Sequence, residues 1–517
     1  MILITSAAYV APGLTAEFGK LPPSMLPVQN RRLYFHQLQL LEPLKDDIVL
    51  SLPVDFRVDK YDLDQLSQRH VQIIYVPNKL SLGASVVYVL NVLGRINESL
   101  RILHGDTLID EIPSGLDIFS VSQAEDDYNW SPVEEGEDGE VYAGFFAFVS
   151  QTDLIRNITE FDNNFMCGVK AYAKEHHVKY SPVKNWLDFG LVNSYYRSKS
   201  TMTTQRIFNG LKIDKYSVTK SSKDINKMMA EANWIKNIPV GMKHYTPALW
   251  QSFVDNNKIG QYTIEYFYLS SLSDIFVFGR NPYFVLKKIV DSCIHFLEDE
   301  SKILAKDAED IAVRSIKLYG TKTSKRIMEY TNKSGIDMNH KWRINGIEVP
   351  SIHKIVEDIN RNLDVPVPQF MHLMHGDFCF SNILYDFKSQ SIKVLDPRGR
   401  DLDRNITIYG DFRYDVAKFA HSVLGLYDFI IGGYFNYAED DPYSLNLSFS
   451  LDDSIKKVQE YFKKQKIAGY SLDELYTYPI LVHLFLSMIP LHSDHPKRQQ
   501  AMFANALRLY AEYKHLK

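Results

Sequence analysis

Short apolar runs alternate with amphipathic stretches through the first two hundred residues. ILITSAA at 2–8 reads as a strand, and RRLYFHQLQLLEPL carries apolar positions at helical spacing. DIVLSLP and VQIIYVP are further strand-like runs, separated by the helix-like YDLDQLSQRH. ASVVYVLNVLGRI then reads as a helix, and SLRILHGDTLI as a strand ending in a polar turn. This rhythm predicts a parallel sheet with helices on both faces. AEDDYNWSPVEEGEDGE reads as a solvated acidic loop before another strand, VYAGFFAFV.

The rhythm changes near residue 200. RIFNG and LKIDKYSVTKSS read as paired strands with a turn at Asn209-Gly210. DINKMMAEANWIKNI is a helix with Asp224 placed to cap it, and GQYTIEYFYL a strand. From about 280 onward the pattern is largely helical except around 371–397. The fold class is therefore α/β followed by α+β, with expected domains 1–200 and 201–517. The second domain divides into a lobe of about 201–270 and a lobe of about 271–517.

Bulk composition narrows the function classes. The chain has 517 residues and a formal charge of −5, with a pI near 6.4, so no global attraction to nucleic acid or to an anionic membrane is expected. No apolar stretch approaches the ~20 residues of a membrane span. Cys167, Cys293 and Cys379 show neither zinc nor disulfide spacing, which fits a reducing, cytoplasmic compartment. The apolar N-terminus lacks a preceding basic region and reads as a strand rather than a leader. A small-molecule substrate is expected; the oligomeric state is not legible.

The densest chemistry lies in MHLMHGDFCFSNILYDFKSQSIKVLDPRG, residues 371–399. His375-Gly376-Asp377 is followed five residues later by Asn382, then by two apolar strands ending in Asp396. Phosphoryl transfer needs alignment and charge stabilisation more than covalent help. One carboxylate must meet the attacking hydroxyl, and hard oxygen ligands must hold magnesium on the phosphates. A loop followed by a hairpin brings these three side chains to one cleft floor.

This segment resembles the aminoglycoside phosphotransferases and the choline and ethanolamine kinases. The resemblance implies a two-lobed, protein-kinase-like fold and an ATP- and Mg2+-dependent transfer to a hydroxyl of a sugar or amino alcohol. It makes Asp377 the catalytic base, makes Asn382 and Asp396 metal ligands, and gives His375 a structural role. IYGDFRYDVAKFAHSVLG resembles the helix entry after the magnesium loop, where Asp411, Tyr414 and Asp415 brace the catalytic loop. For the nucleotide, the strand lysine is Lys220 and the helix glutamate Glu231, although Lys212, Lys215 and Lys223 stand nearby. Glu265, Tyr266 and Phe267 correspond to the hinge beside adenine. Helical insertions at 285–365 and in the last hundred residues carry specificity. Within them, TKTSKRIMEYTNKSGIDMNHKWR is basic and reads as a solvated face, with contact to an anionic group as the alternative.

The first two hundred residues resemble the sugar-1-phosphate nucleotidyltransferases and phosphocholine cytidylyltransferases, implying a doubly wound, Rossmann-like fold. The family's Gly-x-Gly-x-Arg loop is replaced here by Val10-Ala11-Pro12-Gly13-Leu14-Thr15, and its lysine by Ser24, with Lys20 as a nearby charge. LSLGASVVYVL corresponds to the base-contacting segment, and VYAGFFAF brings a substrate-side Gly144. LHGDTLID and NWLDFGLVNSYYRSK supply Asp106 and Asp188 as metal carboxylates, with a second NTP implied at this domain. The fusion implies phosphorylation followed by nucleotidyl transfer, in surface polysaccharide or capsule precursor synthesis. The alternatives are a kinase whose N-terminal domain only senses a nucleotide sugar, and a degenerate interaction protein.

Overall fold

The computed structural model describes residues 1–95, 98–123, 130–133, 139–202 and 210–515. The chain divides into two units, Met1–Met202 with Phe278–Arg280, and Thr203–Val277 with Asn281–Lys517. It is mixed α/β throughout. Among the described residues, no helix is long and apolar enough to cross a membrane.

The first unit is built on a seven-stranded sheet. In chain order its strands are β1 (Ile2–Thr5), β2 (Ile48–Pro53), β3 (Gln72–Val76), β4 (Leu100–His104), β5 (Ile118–Gln123), β6 (Glu140–Phe148) and β7 (Lys179–Pro182). Their spatial order is β7-β5-β6-β4-β1-β2-β3. Pairings are parallel except where β6 runs antiparallel to β4 and β5. Central β1 and β2 are buried along nearly their whole length, so their runs show little alternation. Helix α1 (Leu82–Leu93) begins at Ser81, whose hydroxyl accepts the Ala84 N–H at 3.2 Å, and ends at Gly94 in the left-handed region. Phe119, Phe146 and Phe148 of the sheet pack edge-on and stacked with one another under Phe165 and Tyr172. Each such buried aromatic contributes about 2–3 kcal/mol of transfer free energy. The run 99–109, expected as one strand, is broken at Gly105-Asp106 into β4 and a short strand Thr107–Ile109. The latter leaves the main sheet to pair with Trp186–Asp188.

The second unit opens with a four-stranded antiparallel sheet, β8 (Gly210–Ile213), β9 (Ser217–Ser222), β10 (Leu249–Val254) and β11 (Gly260–Glu265), ordered β8-β9-β11-β10. The expected turn at Asn209-Gly210 lies outside the described residues, which resume at Gly210; β8 joins β9 through Asp214–Tyr216. There the Asp214 carboxylate accepts the N–H groups of Tyr216 and Ser217, closing the turn with a side chain. Helix α2 (Ile225–Asn237) is capped by Asp224, which accepts the Lys227 N–H at 3.1 Å. The rest is largely helical apart from the hairpin β12 (Ile383–Asp386) and β13 (Ser391–Val394), and includes α3 (Gly320–Ser334) and α4 (Phe412–Val423). One departure is a further four-stranded sheet from Trp342–Ile344, Ile347–Val349, Asn436–Asp441 and Ser444–Ser448. Its first hairpin turns on Asn345-Gly346, both at positive φ, the dipeptide that favours such a turn.

Candidate functional site

The strongest cluster in the second unit is assembled from the loop before β12. Gly376 has φ +80°, and a Cβ there would fall 2.7 Å from Arg398 Cβ, so the loop requires glycine. Its N–H donates to both carboxylate oxygens of Asp415, at 2.8 and 3.1 Å. The Asp377 N–H donates to His375 Nδ1 at 3.2 Å. Burial holds the His375 imidazole down at about 4, so it is a neutral acceptor that shapes the loop. Trp234 of α2 donates its indole N–H to Met374 O at 2.8 Å, fastening the helix to the loop.

Asn382 Nδ2 donates to the Asp377 carboxylate and to its carbonyl, each at 2.9 Å. The Leu395 N–H donates to Asn382 O at 2.8 Å, which ties the residue before Asp396 to this loop. Asp396 itself adopts the left-handed conformation, φ +58°, directly after β13. Across from it stands Lys220, whose ammonium lies 2.7 Å from Asp396 Oδ1 and 3.0 Å from Glu231 Oε2. Lys220 is buried while Lys212, Lys215 and Lys223 are exposed, which singles it out from its neighbours. Burial alone would lower the Lys220 ammonium, but Asp396 and Glu231 outweigh it and raise it. Tyr262, opposite Lys220 in the sheet, donates its hydroxyl to Glu231 at 2.7 Å.

The donor set fits a divalent cation. Asn382 spends its NH2 on Asp377, leaving the amide oxygen, and Asp396 already attracts an ammonium; hard oxygens of this kind suit magnesium. Of the expected hinge residues, Glu265 ends β11 and accepts the Ala248 N–H at 3.2 Å, and Tyr266 and Phe267 follow it half-buried. Asp411, expected to brace the 375–377 loop, turns its side chain elsewhere. It accepts from Arg413 Nη2 at 2.7 Å and from the Tyr319 hydroxyl at 2.8 Å, all within the core.

Sequence reasoning missed Lys418. Its ammonium lies 2.7 Å from Asp377 Oδ1. Burial pushes the Asp377 carboxyl up, but Lys418 outweighs it by charge and hydrogen bond, holding it below the usual carboxylate range. The signal was a lysine on the buried face of α4, four residues after Tyr414. Burial would raise the Tyr414 hydroxyl, yet Arg398, Lys322 and Lys418 bring it down to about 7. A tyrosinate band is therefore expected to appear near pH 7 in an ultraviolet titration and to vanish in Tyr414→Phe. Because the folded-state value is depressed, its stabilising contribution is fully present above pH 10 and is lost as pH falls through 7. A titration with no tyrosine ionising below pH 9 contradicts this.

In the first unit, antiparallel pairing sets Asp188 opposite Thr107, next to Asp106. Both carboxylates close on Gly190: a Cβ there would lie 2.6 Å from Asp106 Oδ2 and 3.4 Å from Asp188 Oδ1. Asp188 Oδ2 also accepts the Gly190 N–H at 3.2 Å and the Ser194 hydroxyl. A cavity of about 230 Å³ opens beside them, lined by Thr5, Tyr9, Leu82, Ser85, His104 and Asp106 among others. Among the described residues, no lysine or arginine lines it. Ser24 is buried, its hydroxyl donating to Gly105 O at 3.2 Å, and Lys20 is exposed outside the lining. Gly83 and Gly144 are packing glycines: a Cβ would meet Asn163 O at 2.3 Å and Thr107 Oγ1 at 2.6 Å respectively.

No family model matches the chain, and no curated protein matches it. Among solved structures it is similar to the CTP:phosphocholine cytidylyltransferase of Streptococcus pneumoniae, at 16% identity over 39% of this chain and 98% of that one, TM-score 0.31. It is also similar to an aminoglycoside-3'-phosphotransferase of type VIII, at 13% identity over 54% of this chain and 90% of that one, TM-score 0.33. A thermostable mutant of the aminoglycoside phosphotransferase APH(4)-Ia, in ternary complex with AMP-PNP and hygromycin B, gives 10% identity over 60% and 92%, TM-score 0.39. At these scores the likenesses carry no inference about activity. The chain is thus similar to nucleotidyltransferases in its N-terminal part and to aminoglycoside phosphotransferases over about 60% of its length, two units in one polypeptide.

Proposed function

We propose that the second unit is a kinase of small hydroxyl compounds using ATP and Mg2+. The supporting observation is the joining of Asp377, Asn382 and Lys418 on one side to Asp396, Lys220 and Glu231 on the other, within a single unit. Asn382 and Asp396 are the residues to hold magnesium, which when bound neutralises charge on the phosphates. Lys220, positioned by Glu231, binds phosphate oxygens. Asp377 orients the acceptor hydroxyl and receives its proton. The hydroxyl oxygen bonds to the γ-phosphorus, the bond from that phosphorus to the β–γ bridging oxygen breaks, and the electron pair leaves with ADP. A base with a depressed pKa serves here because the proton is transferred late, when the phosphoryl group is already largely detached. Magnesium-dependent ADP release by the full chain, screened over polyols, sugars, sugar acids and amino alcohols, tests this. No release with any acceptor, together with no MgATP-dependent shift in melting temperature, rejects it.

A second activity in the first unit is favoured by the convergence of Asp106 and Asp188 on Gly190. That pair fits a divalent cation, but among the described residues the cavity wall offers no cation to a triphosphate. If nucleotidyl transfer occurs there, Asp106→Ala abolishes magnesium-dependent pyrophosphate release from CTP, GTP, UTP, ATP or dTTP and leaves ADP release intact. Undiminished pyrophosphate release removes Asp106 from the site. Acting in sequence, the two units would phosphorylate a hydroxyl and then activate the phosphate, the order that supplies surface-polysaccharide precursors. That placement follows from the pairing of units alone.

A further inference from the structure

Beside Asp377 the second unit gathers three cations. Arg398 Nη2 donates to the Tyr414 hydroxyl at 2.9 Å, and Lys322 Nζ donates to the same oxygen at 3.3 Å. The Arg398 guanidinium also lies 4.7 Å over the Tyr414 ring. Tyr414 and Lys418 stand four residues apart on α4, so the group continues directly to Asp377. Three cations from three elements, α3, the loop after β13, and α4, thus meet around one phenol. The nearby carboxylates offset them only in part. Asp377 is taken by Lys418, and Asp415 accepts the Gly376 N–H and is pushed up to about 7 by burial. Arg398 Nη1 is buried with no hydrogen-bond partner. The Tyr414 phenol balances part of this charge, but a buried Arg398 Nη1 without an acceptor is costly unless a ligand supplies one. The nucleotide is served elsewhere, by Lys220, Asn382 and Asp396.

We propose that Lys322, Arg398 and the Tyr414 hydroxyl form the anion-binding part of the acceptor site, so that the compound phosphorylated beside Asp377 carries a carboxylate or phosphate group. This rests on the kinase reading above and narrows its acceptor class. Amino alcohols and polyamines are disfavoured, because their charge meets like charge at this wall. The basic stretch 321–343 is thereby divided: Lys322 turns inward to Tyr414, while Lys325 is exposed.

The test uses the full chain with MgATP and matched acceptors: glycerol, D-glycerate and glycerol 3-phosphate; glucose, gluconate and glucose 6-phosphate; ethanolamine and choline. The acidic members are expected to exceed their neutral counterparts in kcat/KM at least roughly tenfold, and the carboxylate and phosphate arms separate the two anions. Lys322→Met is expected to raise KM for the preferred acid roughly ten- to hundredfold, with kcat and the KM for ATP nearly unchanged. Lys322→Arg restores most of that loss, which a folding defect would not show. Preference for neutral or amino acceptors while MgATP still binds overturns this inference alone. So does a fall in kcat for every acceptor in Lys322→Met, which assigns the cation to the transferred phosphoryl group. Absence of any MgATP-dependent shift in melting temperature overturns the kinase reading and this inference with it.

Discussion

Asp377→Asn is expected to lower phosphoryl transfer by about 10²- to 10⁴-fold, the range a positioned general base supplies. The substitution is nearly isosteric and keeps an oxygen for the Asn382 NH2 group, which now donates to the carboxylate at 2.9 Å. It removes the charge that faces Lys418 at 2.7 Å. Some stability should go with it, because Asp377 raises the buried Lys418 ammonium well above its ordinary value. Nucleotide binding should persist, since Lys220, Glu231 and Asp396 are untouched. The check is a pair of measurements: single-turnover ADP formation, and the MgATP-induced shift in melting temperature. A variant that retains the shift and loses the rate fits the assigned role. A rate within tenfold of the parent protein removes Asp377 from the reaction.

Asp411→Ala is expected to act on stability instead. Asp411 and Arg413 are 1% and 2% exposed, so their pair is desolvated. The carboxylate accepts from Arg413 N, Nε and Nη2 and from the Tyr319 hydroxyl. It also caps α4 by accepting the Arg413 N–H. Removing it leaves a buried guanidinium without its counter-ion, a cost of about 3–5 kcal/mol. The melting transition of the second unit should fall by about ten degrees. Because Met371 pairs with Asp411 in the short ladder beside the catalytic loop, activity should fall only near that lowered transition. A loss below about 1 kcal/mol would mean that water reaches Arg413 when the carboxylate is gone.

These two residues also mark where reading the sequence was enough and where it was not. Asp377, Asn382 and Asp396 lie within twenty residues of one another, and the β12–β13 hairpin that joins them is written in local apolar runs. Proximity along the chain therefore carried proximity in space. Capping by Asp224 was legible for the same reason: it is decided by neighbours a few residues away.

What depends on partners far along the chain was decided only by the tertiary structure. The run 99–109 breaks because Thr107–Ile109 finds a better partner in Trp186–Asp188, and no local pattern announces that exchange. Asp411 stands at the start of α4, the helix that carries Lys418, yet its carboxylate serves Arg413 and Tyr319. Lys418, Arg398 and Lys322 meet at Tyr414 from three separate elements, and one of them stands in a stretch that reads as solvated surface. A lysine's charge is visible in sequence. Whether that charge is hydrated or turned onto a buried hydroxyl depends on packing, because only the fold decides which polar groups lose water and must find one another.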